Sequence, residues 1–586
     1  MRLTNLLATA GTFASAALAV ELTGYEYVVV GSGAGGGPLA ARLALAGHKT
    51  LLIDAGDDQG ESLNYTVPAY SARASEDEDI AWNFFVRHYA DDDRQVRDYK
   101  TTYETPDGGE YTGLDPPKGS KIKGTLYPRT ATLGGCTAHN ALIALYPWKS
   151  DFEYIASLTG DSSWSVDNMR KYFVRMEDNN YLLPGKPGHG YDGWLSTETA
   201  PLTIALEDPQ LLNANSDSDS RDAKGGYFQA PIHSKNGIRI GPREFILAVR
   251  DAKDSNGKKK YPLDVRMNCH VTKVVFDKSE DTPRATGVEF LDGRGIYKAS
   301  PLSRSAGTGK PGSVTASKEV IVAAEEVDIP VVADLPGVGT NLQDHYEIVV
   351  QSQIPKNFSA LHGCTFGGGP DDKCLDQWEK PLLGLTLNKG TYTSSGLPVA
   401  MLYKSSAADR GDWDVFAFGG PTRHLLVGYL EGPARNQAGT VTLRSDDPLD
   451  VPDITYNYFD TGSGDYEKDL QALAEAVDLT RDAFDRQLVP TKEVLPGSSV
   501  KTKEEIDNYI KNTAWGHHAS STCPIGADDD QMAVLDSKFR VRGVKGLRVV
   551  DASVYPRIPG TFTAVSTFIV AEKAADDILN ELSYSY

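Results

Sequence analysis

The feature that most restricts how this chain folds is Gly31-Ser32-Gly33-Ala34-Gly35-Gly36, placed between a β-branched and aromatic run, Tyr25 to Val30, and a helical stretch through Leu39, Leu43 and Ala46 that ends at Gly47. A second apolar run, Thr50 to Ile53, follows at once. Strand, tight turn, helix and strand in that order predict the start of a parallel sheet, because the short turn makes the helix pack back and lays the second strand beside the first. The glycines satisfy G-x-G-x-x-G, with Gly31, Gly33 and Gly36 at its fixed positions. Absent side chains there let backbone N–H groups and the helix N-terminus approach a pyrophosphate. Asp54 ends the second strand about 20 residues on, where a carboxylate reaches a ribose hydroxyl. It argues against a 2′-phosphate and leaves FAD and NAD both open.

The 586 residues exceed the ~250–300 at which one core stops growing, which predicts two intertwined domains. Val271 to Phe276 and Ala285 to Phe290 read as a hairpin feeding back to the sheet at Glu319 to Val322. Ser75 to Pro117, rich in acids, Tyr, Gly and Pro, reads as a long surface excursion. His345 to Tyr456 alternates strand-like runs with turns and predicts a second, mostly antiparallel layer over the site. Helical patterns follow at Tyr466 to Phe484, Lys503 to Lys511 and Ala564 to Leu579. The expected fold class is α/β (α+β): a Rossmann-type domain with a second, mostly antiparallel-sheet domain. The divisions expected are a leader at 1–19, the cofactor domain at 20–345 with excursions into its neighbour, a mainly substrate-binding part at 346–510, and a return to the first domain at 511–586.

With 59 Lys+Arg against 80 Asp+Glu the net charge is -21, which repels phosphate backbones and anionic lipid, so neither nucleic acid nor membrane is an expected partner. Arg2 precedes a weakly apolar stretch, Leu6 to Ala19, and Ala17-Leu18-Ala19 offers a small-residue cleavage site. That pattern predicts a secretory signal, a mature chain beginning at Val20, and an extracellular location. The stretch falls short of the ~20 residues of a membrane span. Asn64-Tyr65-Thr66 and Asn357-Phe358-Ser359 are N-glycan acceptor tripeptides. Cys364 and Cys374 flank a short loop and could close a disulfide in an oxidising compartment, leaving Cys136, Cys269 and Cys523 unassigned.

Three further segments carry a resemblance. Leu133-Gly134-Gly135-Cys136-Thr137-Ala138-His139-Asn140, then Pro336-Gly337-Val338-Gly339-Thr340-Asn341-Leu342-Gln343-Asp344-His345, then His518-Ala519-Ser520-Ser521-Thr522-Cys523-Pro524-Ile525-Gly526 with Gly546-Leu547-Arg548-Val549-Val550-Asp551-Ala552 follow one another toward the C-terminus. Together with the glycine turn the chain resembles the glucose-methanol-choline (GMC) oxidoreductases, of the secreted fungal type. The resemblance implies FAD, contacted by Gly134, Gly135, His139, Asn140, Val271, Asp551 and Ala552, a small-molecule alcohol substrate and a separate electron acceptor. It also implies either a histidyl bond from His139 to the flavin or a histidine merely packed at the ring edge. No metal is expected.

Oxidising an alcohol needs a base facing the hydroxyl while the flavin takes the hydride. The ungapped match puts His518 at the family's catalytic histidine, with His517 the alternative if the register shifts by one. The family's second His or Asn falls on Phe562, which donates no hydrogen bond; Thr561 or Thr563 could replace it after a backbone shift. An apolar or aromatic substrate is then expected over a sugar, while a diverted flavoprotein (cyclase or lyase) and an inactive FAD-binding homologue are the alternatives. Where the family carries a turn and helix, this chain has only Glu325 to Pro330, either a shortened connection or the mark of an exon missing from the gene model. Trp378, Tyr392, Trp413, Phe416 and Phe418 read as core or as pocket wall.

Overall fold

A computed structural model describes residues 20–583 apart from 201–225, 324–331, 356–360, 368, 382–388, 398, 410, 423–424, 433, 460–464, 488–489 and 561. The leader, Asn357, Thr561 and the shortened connection therefore lie outside the described residues.

The first run forms a strand, Val20–Val30, whose last four residues are buried; the helix Gly36–Leu45 and the strand Thr50–Ile53 follow it as expected. Both strands are parallel neighbours, with Tyr27 to Val30 facing Thr50 to Ile53. Lys310–Val322 lies parallel on the other side of the first strand, and Leu263–Arg266 extends the sheet beyond the second. The hairpin Cys269–Asp277 with Arg284–Asp292 is antiparallel and joins the first half of Lys310–Val322. The second half of that strand pairs instead with Leu547–Val549. Seven strands thus close one sheet from residues hundreds of positions apart. The C-terminal helix Thr563–Ser583 packs on the glycine-turn helix and completes the first core.

The second domain is a six-stranded antiparallel sheet in the order Lys492–Leu495, Tyr346–Gln353, Leu425–Gly432, Val415–Thr422, Val399–Tyr403 and Gly226–Gln229. The helix Tyr466–Asp485 lies along it, burying Leu470, Leu473, Ala476 and Val477. Its edge strand Gly226–Gln229 comes from well before the middle segment, so the chain enters this domain earlier than His345.

The reading of Ser75 to Pro117 as surface excursion is corrected. Ala81–Val86 and Thr101–Glu104 pair with Lys121–Thr130 on its two sides, and Glu110–Thr112 pairs with Thr101–Glu104, making a four-stranded antiparallel sheet. Phe84, Val86 and Tyr103 are buried in it, an alternation hidden in the sequence by acidic and turn residues on every side. Cys364 and Cys374 are disulfide-bonded, as expected, and pack with Trp378 and Tyr392 in a small satellite core.

Glycine at position 35 is dictated by contact, since a Cβ there would sit 1.8 Å from the carbonyl oxygen of Val550. At Gly36 it would sit 2.1 Å from the carbonyl oxygen of Gly31 and 2.9 Å from the Ala323 side chain. Gly35→Ala is predicted to destabilise the protein beyond the ~1–3 kcal/mol usual for overpacking. Thermal denaturation followed by circular dichroism tests this; an unshifted midpoint would refute the contact.

Candidate active site

A cavity of about 1150 Å³ lies between the two sheets and runs from the glycine turn to the aromatic face of the second domain. Its volume exceeds the ~300–1,000 Å³ of ordinary small-ligand sites, leaving room for a dinucleotide and a substrate together. Gly31, Gly33, Asp54, Gly135, His139, Asn140, Val271, Asp551, Ala552, His517, His518 and Phe562 all line it, so residues spread along the chain are brought together in one cavity. Gly36 and Gly134 shape the wall from behind: the first lets helix meet strand, and the second, at φ 100°, donates its N–H to Ser32 Oγ at 3.0 Å.

Asp54 is buried at the end of its strand. Its carboxylate accepts from Ser32 N–H at 2.8 Å, Ser32 Oγ at 2.6 Å and Gly56 N–H at 2.9 Å. It therefore organises the turn as well as lining the cavity, and burial outweighs these bonds to raise its pKa. Gly135, at φ 56°, passes so close to Gly33 that a Cβ would lie 2.8 Å from the Gly33 Cα. Two bare backbone segments thus form a cradle that any side chain would fill, which fits the pyrophosphate of FAD.

Arg239 was not anticipated. Buried, it donates to the carbonyls of Tyr65, Thr137 and Asn140 and to Asn140 Oδ1 at 2.7 Å. The Asn140 amide also meets His233 Nε2 at 3.1 Å. That cation pins the segment carrying His139, whose pKa falls to about 3 through burial and the charges of Arg129 and Arg239. Contacts between positions a hundred residues apart leave no local pattern by which sequence could find Arg239.

At the other end, the His518 ring stands 5.0 Å from Phe562 in an edge-to-face arrangement, and its Nδ1 lies 3.0 Å from His345 Nδ1. His345 Nδ1 lies 3.1 Å from Glu431 Oε1. Burial holds His518 well below the ordinary histidine range, helped by His517, His345 and Arg129. Backbone N–H of His518 donates to Asp344 Oδ1 at 2.7 Å, and Asp344 Oδ2 accepts from Tyr127 at 2.9 Å and Tyr458 at 3.2 Å. His517 is also in the wall, its Nδ1 3.7 Å from the Glu347 carboxylate, and its pKa is lowered to about 4 by burial and Arg129. Glu347, also a lining residue, is raised by burial to about 8. Phe562 packs on Phe416 and Phe418, and of the flagged aromatics Phe418 lines the cavity. Phe416, Trp378 and Tyr392 are core.

Fold and site together define a two-domain flavin-dinucleotide enzyme with a histidine-bearing substrate chamber. The chain belongs to the GMC oxidoreductase family and is an FAD-dependent oxidoreductase: residues 25–360 match the N-terminal family model and 435–571 the C-terminal one. It is 30% identical to an oxygen-dependent choline dehydrogenase of Vibrio vulnificus, across 95% of this chain and 94% of that one. A Photobacterium profundum protein of the same description is 29% identical over 96% of the chain and 94% of its own length. Among solved structures, an Aspergillus oryzae formate oxidase aligns with TM-score 0.74 at 19% identity, covering 97% of this chain and 100% of its own. A fungal aryl-alcohol oxidase aligns with TM-score 0.67 at 18% identity, covering 95% and 99%. No described helix is long and apolar enough to cross a membrane.

Asp344→Ala strips an acceptor from three buried donors at roughly 1–3 kcal/mol each. It is expected to lower stability by about 3 kcal/mol or more, with Asp344→Asn milder because its oxygen still accepts. Denaturant titration of both variants measures the difference; equal effects would mean that the acceptor is not what matters.

Proposed function

We propose that this protein is a secreted alcohol oxidoreductase in which His518 takes the hydroxyl proton of an apolar or aromatic substrate. The observation that carries the reading is the placement of His518, its Nδ1 held against His345 while the ring lines the cavity beside Phe562. With Nδ1 engaged, Nε2 is the nitrogen available to substrate. Burial keeps the ring neutral at neutral pH, so its lone pair is ready for the proton. FAD held in this cavity would supply the hydride acceptor for the adjoining carbon, leaving a carbonyl product, with dioxygen or a quinone-type compound as the final electron acceptor.

Gly31, Gly33, Gly135 and Asp54 would hold the dinucleotide, with Asn140, Val271, Asp551 and Ala552 beside the flavin. His139 shares that wall and would carry a tether if the cofactor is covalent. Phe562 supplies no donor to the reacting oxygen, and with Phe418 and Tyr429 it builds an apolar rim suited to an aromatic or aliphatic alcohol. Secretion is supported by the apolar leader and the Cys364–Cys374 disulfide. Of the two acceptor tripeptides, Asn64 has its amide bound to Asp77 at 2.7 Å, so a glycan there would need that bond released.

A quaternary-ammonium alcohol such as choline is a second reading. Glu347, a carboxyl in the wall beside Tyr429 and Trp515, favours it, as does the similarity to choline dehydrogenases. Comparison of kcat/KM for benzyl alcohol and choline decides between them, and Glu347→Gln should depress only the choline reaction.

His518→Ala is expected to lower kcat/KM by ~10²–10⁴, whereas His517→Ala should cost tenfold or less. A depressed pKa leaves the base unprotonated down to low pH, so the acid limb of kcat/KM should fall below the ordinary histidine value of ~6.5. A limb above that value, or a larger loss at His517, would move the base elsewhere. Acid precipitation of the holoprotein tests the tether: yellow pellet in the native chain and colourless pellet in His139→Ala are expected if it forms, and colour released to the supernatant from both rejects it.

A further inference from the structure

Behind the His518 ring, away from the main cavity, lies a small chamber of about 40 Å³. Asp151, Asp409, Asp412 and Asp414 line it, together with His345 and Glu431. Its cation Arg435 is paired with Asp469 and also reaches Asp409 at 3.4 Å and Asp414 at 3.9 Å, so the chamber's carboxyls outnumber its one cation. Such a volume exceeds the ~10–15 Å³ that one water needs. His345 and Glu431 therefore form a partition, with an acidic entry on one side and His518 on the other.

Geometry within the partition is specific. His345 Nδ1 is 3.0 Å from His518 Nδ1 and 3.1 Å from Glu431 Oε1, and His518 Nδ1 is 3.9 Å from Glu431 Oε2. All three ligand atoms fall within 4.8 Å of one another, and all three residues are buried. Tetrahedral zinc with bonds of about 2.0–2.1 Å places its ligands roughly 3.3 Å apart; the two separations from His345 Nδ1 lie within about 0.3 Å of that, and the one from His518 Nδ1 to the carboxylate is about 0.6 Å longer. Among the described residues, none gives either oxygen of Glu431 a hydrogen bond of good geometry. A buried carboxylate so placed lacks the compensation that a cation between it and two imidazoles would provide.

We infer that His345, Glu431 and His518 form a binding site for one divalent transition-metal ion of the zinc type, entered through the acidic chamber, and that its occupancy switches the enzyme off. Two imidazoles and a carboxylate are a donor set that zinc accepts, with a fourth position left for water. A metal on Nδ1 of His518 fixes the remaining ring proton on Nε2. The nitrogen facing substrate then has no lone pair to receive the hydroxyl proton. The effect on turnover rests on His518 being the base; the binding does not. Residue spacing could not announce this site, because its ligands stand 86 and 87 positions apart in the chain.

The test uses the FAD-loaded, chelator-treated protein. Equilibrium dialysis should show one zinc per chain, and inhibition should track occupancy and reverse on adding EDTA. Cobalt(II) in place of zinc should give intense tetrahedral ligand-field absorbance to the red of the flavin bands. Glu431→Gln and His345→Gln, each checked for retained flavin, should weaken uptake at least ~10-fold. Absence of stoichiometric uptake, uptake unchanged in both variants, or a weak octahedral cobalt spectrum from the native protein would overturn the site. Zinc bound and lost as described, but without inhibition, would keep the site and remove His518 as base. No zinc uptake beside an inactive His518→Ala would do the reverse.

Discussion

The candidate active site depends on one buried carboxyl group. Asp344 receives the His518 backbone N–H and the hydroxyls of Tyr127 and Tyr458, three groups from three distant stretches of chain. Tyr127 in turn accepts the N–H of Ala519, so the segment after His518 is fixed twice. Burial raises the Asp344 pKa to about 7 despite these donors, a measure of how thoroughly water is excluded. Because His345 follows Asp344 directly, a single short segment sets the position of both histidines. Removing the carboxyl would free the C-terminal block, the four-stranded sheet and the second domain from each other at one point.

The same segment explains why its motif reads as it does. Asn341, at φ 59°, donates to the carbonyls of Ser521 at 3.3 Å and Pro556 at 3.2 Å. Gln343 takes the Ile558 N–H at 3.1 Å, and its backbone bridges to Ser520. These side chains are clamps on the C-terminal loops, and none needs to touch a ligand to be required. The dinucleotide cradle follows a different rule, contact between bare backbones: Gly35 against Val550 and Gly135 against Gly33.

What could be read from sequence was whatever is local. The glycine turn, Asp54, the hairpin and the long helices each carry their pattern within a few residues, and all appear where the pattern puts them. The aligned motifs brought His518, His139 and Phe562 to one cavity. Groups whose role depends on tertiary neighbours were invisible: Arg239 acts through carbonyls, Glu431 through a histidine on the adjacent strand's end, and Glu347 through the absence of water around it. The sheet formed by Ala81–Val86 and its partners was missed because its buried positions are separated by residues typical of loops.

The order of strands has a consequence for how the protein is made. Leu547–Val549 is a strand of the cofactor sheet, Val550 closes over Gly35, and the helix Thr563–Ser583 covers the first core. A nascent chain emerging from the ribosome presents the glycine turn early but lacks the wall that completes it until Val550 and the helix Thr563–Ser583 have been made. Flavin capture therefore waits on those later segments, and a product terminated before them would have no finished site with which to hold FAD.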